Sequence, residues 1–207
     1  KIKKCRYLSF MSKSLNKTKF ISNVSISKTL LKLLVNIQKK YKANKQLEAL
    51  LKLEEFKKFI ISCEKKIRFN NKKALILSFN VGREYLIGHI MMKNITDAAS
   101  KILGNLVIQN KEGDTSVLVY DRDRELSINK GGRYHQTREG GSIHTDNVNV
   151  SLKWDYMILS CLSSGLVGGE TILVNDKDVY NQLNKKFNNK KKILQKNYYW
   201  EKRGVAN

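Results

Sequence analysis

His144 and Asp146 stand two residues apart in Gly-Gly-Ser-Ile-His-Thr-Asp-Asn-Val-Asn, residues 140–149. On an extended segment, side chains at i and i+2 point to the same face. One offers an imidazole nitrogen, the other an anionic oxygen. Together they supply two of the three ligands of a facial triad, the site type of non-haem Fe(II) oxygenases, which leaves further positions open for co-substrate and O2. The same pair can also be a plain exposed contact. With three histidines and 18 acidic residues in the chain, a His-x-acid pair is a weak signal alone. Its meaning depends on the elements that hold it.

The 207 residues suit one domain with a sizeable core and an appendage. A hydrophobic content of 41 % argues against disorder throughout. No apolar run approaches the ~18 residues of a membrane span. Cys5, Cys63 and Cys161 have no metal-type spacing and leave one thiol unpaired, which fits a reducing compartment, cytoplasmic or organellar. The chain has no proline, where about 5 % is usual. With the abundant Lys and Asn, that pattern fits a nucleotide bias in the source genome, so lysine number alone is discounted.

The distribution of charge says more than its total. Of the net +22, residues 1–47 carry +13 and residues 177–203 carry +7, leaving +2 for residues 48–176. The segment around His144 is therefore nearly neutral. A specific nucleic-acid groove there would need a basic excess that is absent. The terminal segments can still attract polyanions.

Residues 1–27 are basic, rich in Lys, Ser and Asn, and read as a partly disordered N-terminus or an organelle transit peptide. Residues 28–72 read as a helical N-terminal segment, with helices over 28–42 and 45–67. From residue 73 the pattern changes to short apolar runs: 74–79, 85–92, 105–109, 116–120, 156–162 and 171–174. Polar or glycine-bearing segments separate them, as in a mostly antiparallel β domain. Further helices are expected near 96–103 and 176–188.

The run from Trp154 to Asn175 sets the pair in context. An apolar strand leads to a turn, then to Gly168, Gly169, Glu170 and Thr171, well downstream of Asp146. In this the chain resembles the Fe(II)/2-oxoglutarate-dependent dioxygenases of the taurine dioxygenase and clavaminate synthase type, over residues 85–190. The resemblance implies an α+β fold. Its core is a double-stranded β-helix, a cupin-like jelly roll spanning 73–207, with N-terminal and flanking helices packed outside. It implies Fe(II) on His144 and Asp146, and 2-oxoglutarate as co-substrate, with the Thr171 hydroxyl near its carboxylate. It also implies O2 and a small-molecule substrate. The expected reaction is oxidative decarboxylation of 2-oxoglutarate coupled to C–H hydroxylation. Relatives that transfer halide lack the carboxylate, so Asp146 favours oxygenation.

The family also uses a second histidine downstream and an arginine about ten residues beyond it, suited to a carboxylate. No histidine follows His144 in this chain. Three readings stand: a chain cut before the last strands of its jelly roll, a degenerate relative, or recruitment of His135 as replacement ligand. His89 reads as a core or edge histidine. Arg133, Gln136, Arg138 and Asn147 flank the pair and are candidate contacts for an acidic or amino-acid-like substrate. They also fit a solvated loop and a turn cap. A non-catalytic alternative is a protein that binds RNA or acidic lipid through its basic ends.

Overall fold

The structure is a computed structural model. It describes residues 6–10, 20–70, 72–79, 86–110, 112–122, 125, 127–132, 134–146, 154–163, 167–187 and 191–199. The chain divides into two compact units, one formed by residues 1–107 with 154–164, the other by residues 108–153 with 165–207.

The first unit sets helices against a sheet. Strands β1 (Arg6–Phe10), β2 (Ile21–Ser25), β3 (Ala74–Ser78) and β4 (Tyr156–Ser160) lie in the order β2-β3-β1-β4. Every pairing is parallel, with Tyr7 opposite Ala74 and Met157, and Ser22 opposite Leu75. This differs from the antiparallel arrangement expected from the sequence. The run Ala74–Leu77 is apolar at every position and buried throughout, the pattern of a strand covered on both faces. Residues 6–10 and 21–25, read as part of a partly disordered N-terminus, form strands. No double-stranded β-helix occurs among the described residues.

Three helices join β2 to β3: α1 (Lys28–Lys40), α2 (Ala43–Lys52) and α3 (Glu54–Phe69). Ser27 caps α1, its hydroxyl accepting the Leu30 N–H at 3.1 Å. Leu30, Leu31, Leu34 and Val35 form the buried stripe of α1; Phe56, Ile60, Cys63 and Ile67 form that of α3. The single helix expected over 45–67 is broken at Leu53, which is extended (φ −80°, ψ 103°). Glu54 and Glu55 follow at once, and acids favour the positive end of a new helix.

Helix α4 (His89–Leu103) contradicts the strand expected over 85–92 and extends the short helix expected at 96–103. Met91, Ile95, Ala98 and Ala99 are buried at helical spacing. A short apolar run does not by itself distinguish strand from helix. A distant side chain anchors the start of α4: Gln38 accepts the Gly88 N–H at 2.8 Å and donates to the Leu86 carbonyl at 3.0 Å. Beside it, buried Gln46 donates to the carbonyls of Gln38 and Tyr41 and accepts from Asn94. Such a satisfied amide is tolerated among apolar neighbours.

The second unit is mostly irregular, with helix α5 (Asp176–Lys186) and a short α6 (Lys191–Leu194). Asn175 caps α5 by accepting the Lys177 N–H at 3.2 Å. The strands expected at 105–109, 116–120 and 171–174 have no ladder partner among the described residues. The two former are joined by a tight turn, in which Gln109 donates to the Asp114 carbonyl at 2.6 Å. Gly113 sits in that turn at φ 85°.

Candidate metal centre

The His144 segment belongs to the second unit and is approached through a cross-tied loop. Tyr120 and Arg122 donate their N–H groups to the carbonyls of His135 and Gln136, at 3.2 and 3.1 Å. Arg138 makes a close ion pair with Asp121. The Glu139 carboxylate accepts the Ile128 N–H at 2.8 Å, and the Glu139 N–H donates to the Thr137 hydroxyl at 3.2 Å. Thr137 is buried. These bonds fix the chain up to the glycine pair that precedes His144.

His144 and Asp146 meet. Nε2 of the imidazole lies 3.2 Å from Oδ1 of the carboxylate. The other ring nitrogen, Nδ1, lies 2.5 Å from the Ser142 carbonyl. A carbonyl only accepts, so Nδ1 carries the proton. Nε2 then either bears a second proton, giving an imidazolium–carboxylate pair, or turns a lone pair toward an anionic oxygen. The second arrangement is favourable only with a cation between the two. Two ligands at about 2.1 Å from a metal, at right angles, stand about 3 Å apart. The observed separation fits that bite. Nδ1–H held by a carbonyl is also the usual outer arrangement of a metal-bound histidine.

The pair is open to solvent, with side-chain exposures of 52 % for His144 and 41 % for Asp146. It is not on a strand; a bend at Ile143 and a turn at Asp146 bring the groups together. Among the described residues no group of three or more His, Cys, Asp or Glu side chains is placed to hold a metal ion. Within the second unit, His135 is therefore not brought to the pair as a third ligand.

The other candidates fall as follows. Thr171 is exposed and follows Gly168 and Gly169, which lie at φ 80° and 83°. Both glycines occupy the left-handed region that other residues avoid. No hydrogen bond joins Thr171 to His144 or Asp146 among the described residues. The charge of Arg138, a proposed substrate contact, is already met by Asp121. Gln136 contributes its carbonyl to the loop. Arg133 and Asn147 lie outside the described residues.

Sequence reasoning missed Tyr134, whose ring stacks on His144 with centroids 6.1 Å apart. It also missed Asp121, the partner of Arg138. A tyrosine well before a histidine carries no periodic signal, and Asp121 is remote from Arg138 along the chain. No protein-family model, curated protein or solved structure matches the chain. No helix among the described residues is long and apolar enough to cross a membrane.

Proposed function

We propose that this chain carries the metal-binding segment of an Fe(II)- and 2-oxoglutarate-dependent oxygenase acting on a small, amino-acid-like molecule. One observation carries the reading. His144 Nε2 and Asp146 Oδ1 converge at 3.2 Å while Nδ1 is held by the Ser142 carbonyl, a two-donor bite that fits one side of a metal. Fe(II), 2-oxoglutarate and O2 would supply the oxidising power for hydroxylating a C–H bond, with release of succinate and CO2. The donor set suits Fe(II): a borderline nitrogen and a hard oxygen. In this reading His144 and Asp146 bind and orient the ion, and the Thr171 hydroxyl donates to a 2-oxoglutarate carboxylate. Gln136 and Arg133 border the substrate. Arg138 holds the loop through Asp121 and so keeps the approach to the pair in shape. A jelly roll over the later part of the chain goes with this proposal. The test is succinate formation from 2-oxoglutarate by the purified chain under air. The expected signal requires Fe(II) and vanishes in His144→Ala. Succinate formation that is unchanged in His144→Ala overturns the assignment.

A second reading has its own observation. Lys28, Lys32, Lys39, Lys40 and Lys42 are all exposed, and none makes an ion pair among the described residues. A surface of that kind attracts polyanions in a salt-dependent way.

A further inference from the structure

We infer that Tyr134 is a positioning residue for His144: its ring, with the bare Cα of Gly141, forms a slot that holds the imidazole with Nε2 turned toward Asp146. The inference rests on the metal-centre reading above. The Tyr134 and His144 centroids are 6.1 Å apart and the planes differ by 19°. That is an offset stack within the range over which aromatic rings attract. Gly141 closes the slot from another side. A Cβ there would come within 3.3 Å of His144 Cε1, 3.7 Å of His144 Nδ1 and 3.8 Å of Tyr134 Cδ1. One added methyl would therefore crowd the His144 ring and touch the Tyr134 ring at ordinary contact distance. The third restraint is the Ser142 carbonyl at Nδ1. Stacked on one face, bounded by Gly141 and tethered at Nδ1, the ring presents Nε2 to Asp146.

Tyr134 is itself well placed to act as a wall. It opens the short turn Tyr134–Gln136, and its carbonyl accepts the Thr137 N–H at 3.4 Å. The next two residues are tied through their carbonyls to Tyr120 and Arg122. The Tyr134 hydroxyl makes no hydrogen bond among the described residues, so the ring and not the phenol oxygen is the working part. An imidazole free to swing about its χ2 angle would lose ordering entropy on binding a metal. A ring held in place beforehand avoids that loss.

The experiment compares the full chain with Tyr134→Phe, Tyr134→Leu and Gly141→Ala, using Co(II) as the probe. Affinity is read by titration and the metal-free His144 ring by NMR. Tyr134 is 46 % exposed, so these changes leave the cores intact, and Tyr134→Phe keeps the ring as an internal control. Tyr134→Phe is expected to match the wild type in both readouts. Tyr134→Leu and Gly141→Ala are expected to bind Co(II) about 10-fold more weakly, the usual effect of losing an outer partner of a ligand. Tyr134→Leu should also remove the ring-current displacement of the His144 ring protons. If Co(II) binds through His144 but Tyr134→Leu changes neither affinity nor ring signals, the positioning role alone is overturned. If the wild type binds no Co(II) through His144, the metal reading falls and the positioning role with it.

Discussion

Replacing Asp146 with Asn should cost the metal-free protein almost nothing, while removing its response to a metal. At 3.2 Å, two full charges in water attract by about 1.3 kcal/mol. Both side chains are roughly half exposed, so salt screening and side-chain entropy reduce that figure. Exposed ion pairs are typically worth about 0.2–1 kcal/mol. If Nε2 is unprotonated the attraction is absent, and an Asn amide can donate to the lone pair instead. Asp146→Asn should therefore shift urea unfolding by less than about 1 kcal/mol, with an unchanged slope, because the surface exposed on unfolding is the same. A ligand that binds only the folded state at 100 times its dissociation constant adds about 2.7 kcal/mol. Co(II) at such a concentration should stabilise the wild type by that amount and Asp146→Asn hardly at all. If Asp146→Asn destabilises the metal-free protein by clearly more than an exposed ion pair is worth, the pair is a structural tie and not a metal site. An equal response of both proteins to Co(II) would likewise refute Asp146 as a ligand.

Other expectations follow from the same geometry. Burial raises the Cys63 thiol to about 11, so iodoacetamide at pH 8 should label exposed Cys161 and spare Cys63 in the native protein; equal labelling would contradict the burial. The sign of the linked effect is fixed: the unfolded thiol ionises first, so the Cys63 contribution to stability falls as pH rises from about 9 to about 11. Gln46→Met keeps the volume but strips three hydrogen bonds. It should destabilise the first unit by about 2–3 kcal/mol, measured by denaturant midpoint; a negligible change would show that water replaces the amide. Gly169→Ala places a Cβ at φ 83° with open space around it. Its cost should be backbone strain alone, about 1–2 kcal/mol, and a neutral result by the same assay would mean the turn relaxes.

Much of the first unit is legible in the sequence because its signals are local. Ser27 followed by Leu30, Leu31, Leu34 and Val35 announces a capped amphipathic helix, and Phe56, Ile60, Cys63 and Ile67 announce another. The break at Leu53 is not legible, since neither Gly nor Pro marks it. The start of the helix at His89 is tied to Gln38, far away along the chain. The sheet direction is available in the unbroken apolar run Ala74–Leu77, but the many short apolar segments point the other way. In the site, the spacing of His144 and Asp146 together with the downstream Gly168–Thr171 run brings out the pair, although a bend rather than a strand joins them. The partners that shape the pair, Tyr134 and the Ser142 carbonyl, leave no trace in residue type, because stacking and carbonyl geometry are products of the folded loop.

Whether His144 and Asp146 hold Fe(II) is decided by anaerobic titration of Fe(II) into the wild type and His144→Ala, with and without 2-oxoglutarate. One Fe(II) per wild-type chain is expected, bound more tightly when 2-oxoglutarate is present, and no such site in His144→Ala. Equal Fe(II) binding by the two proteins, or none by either, would contradict the assignment.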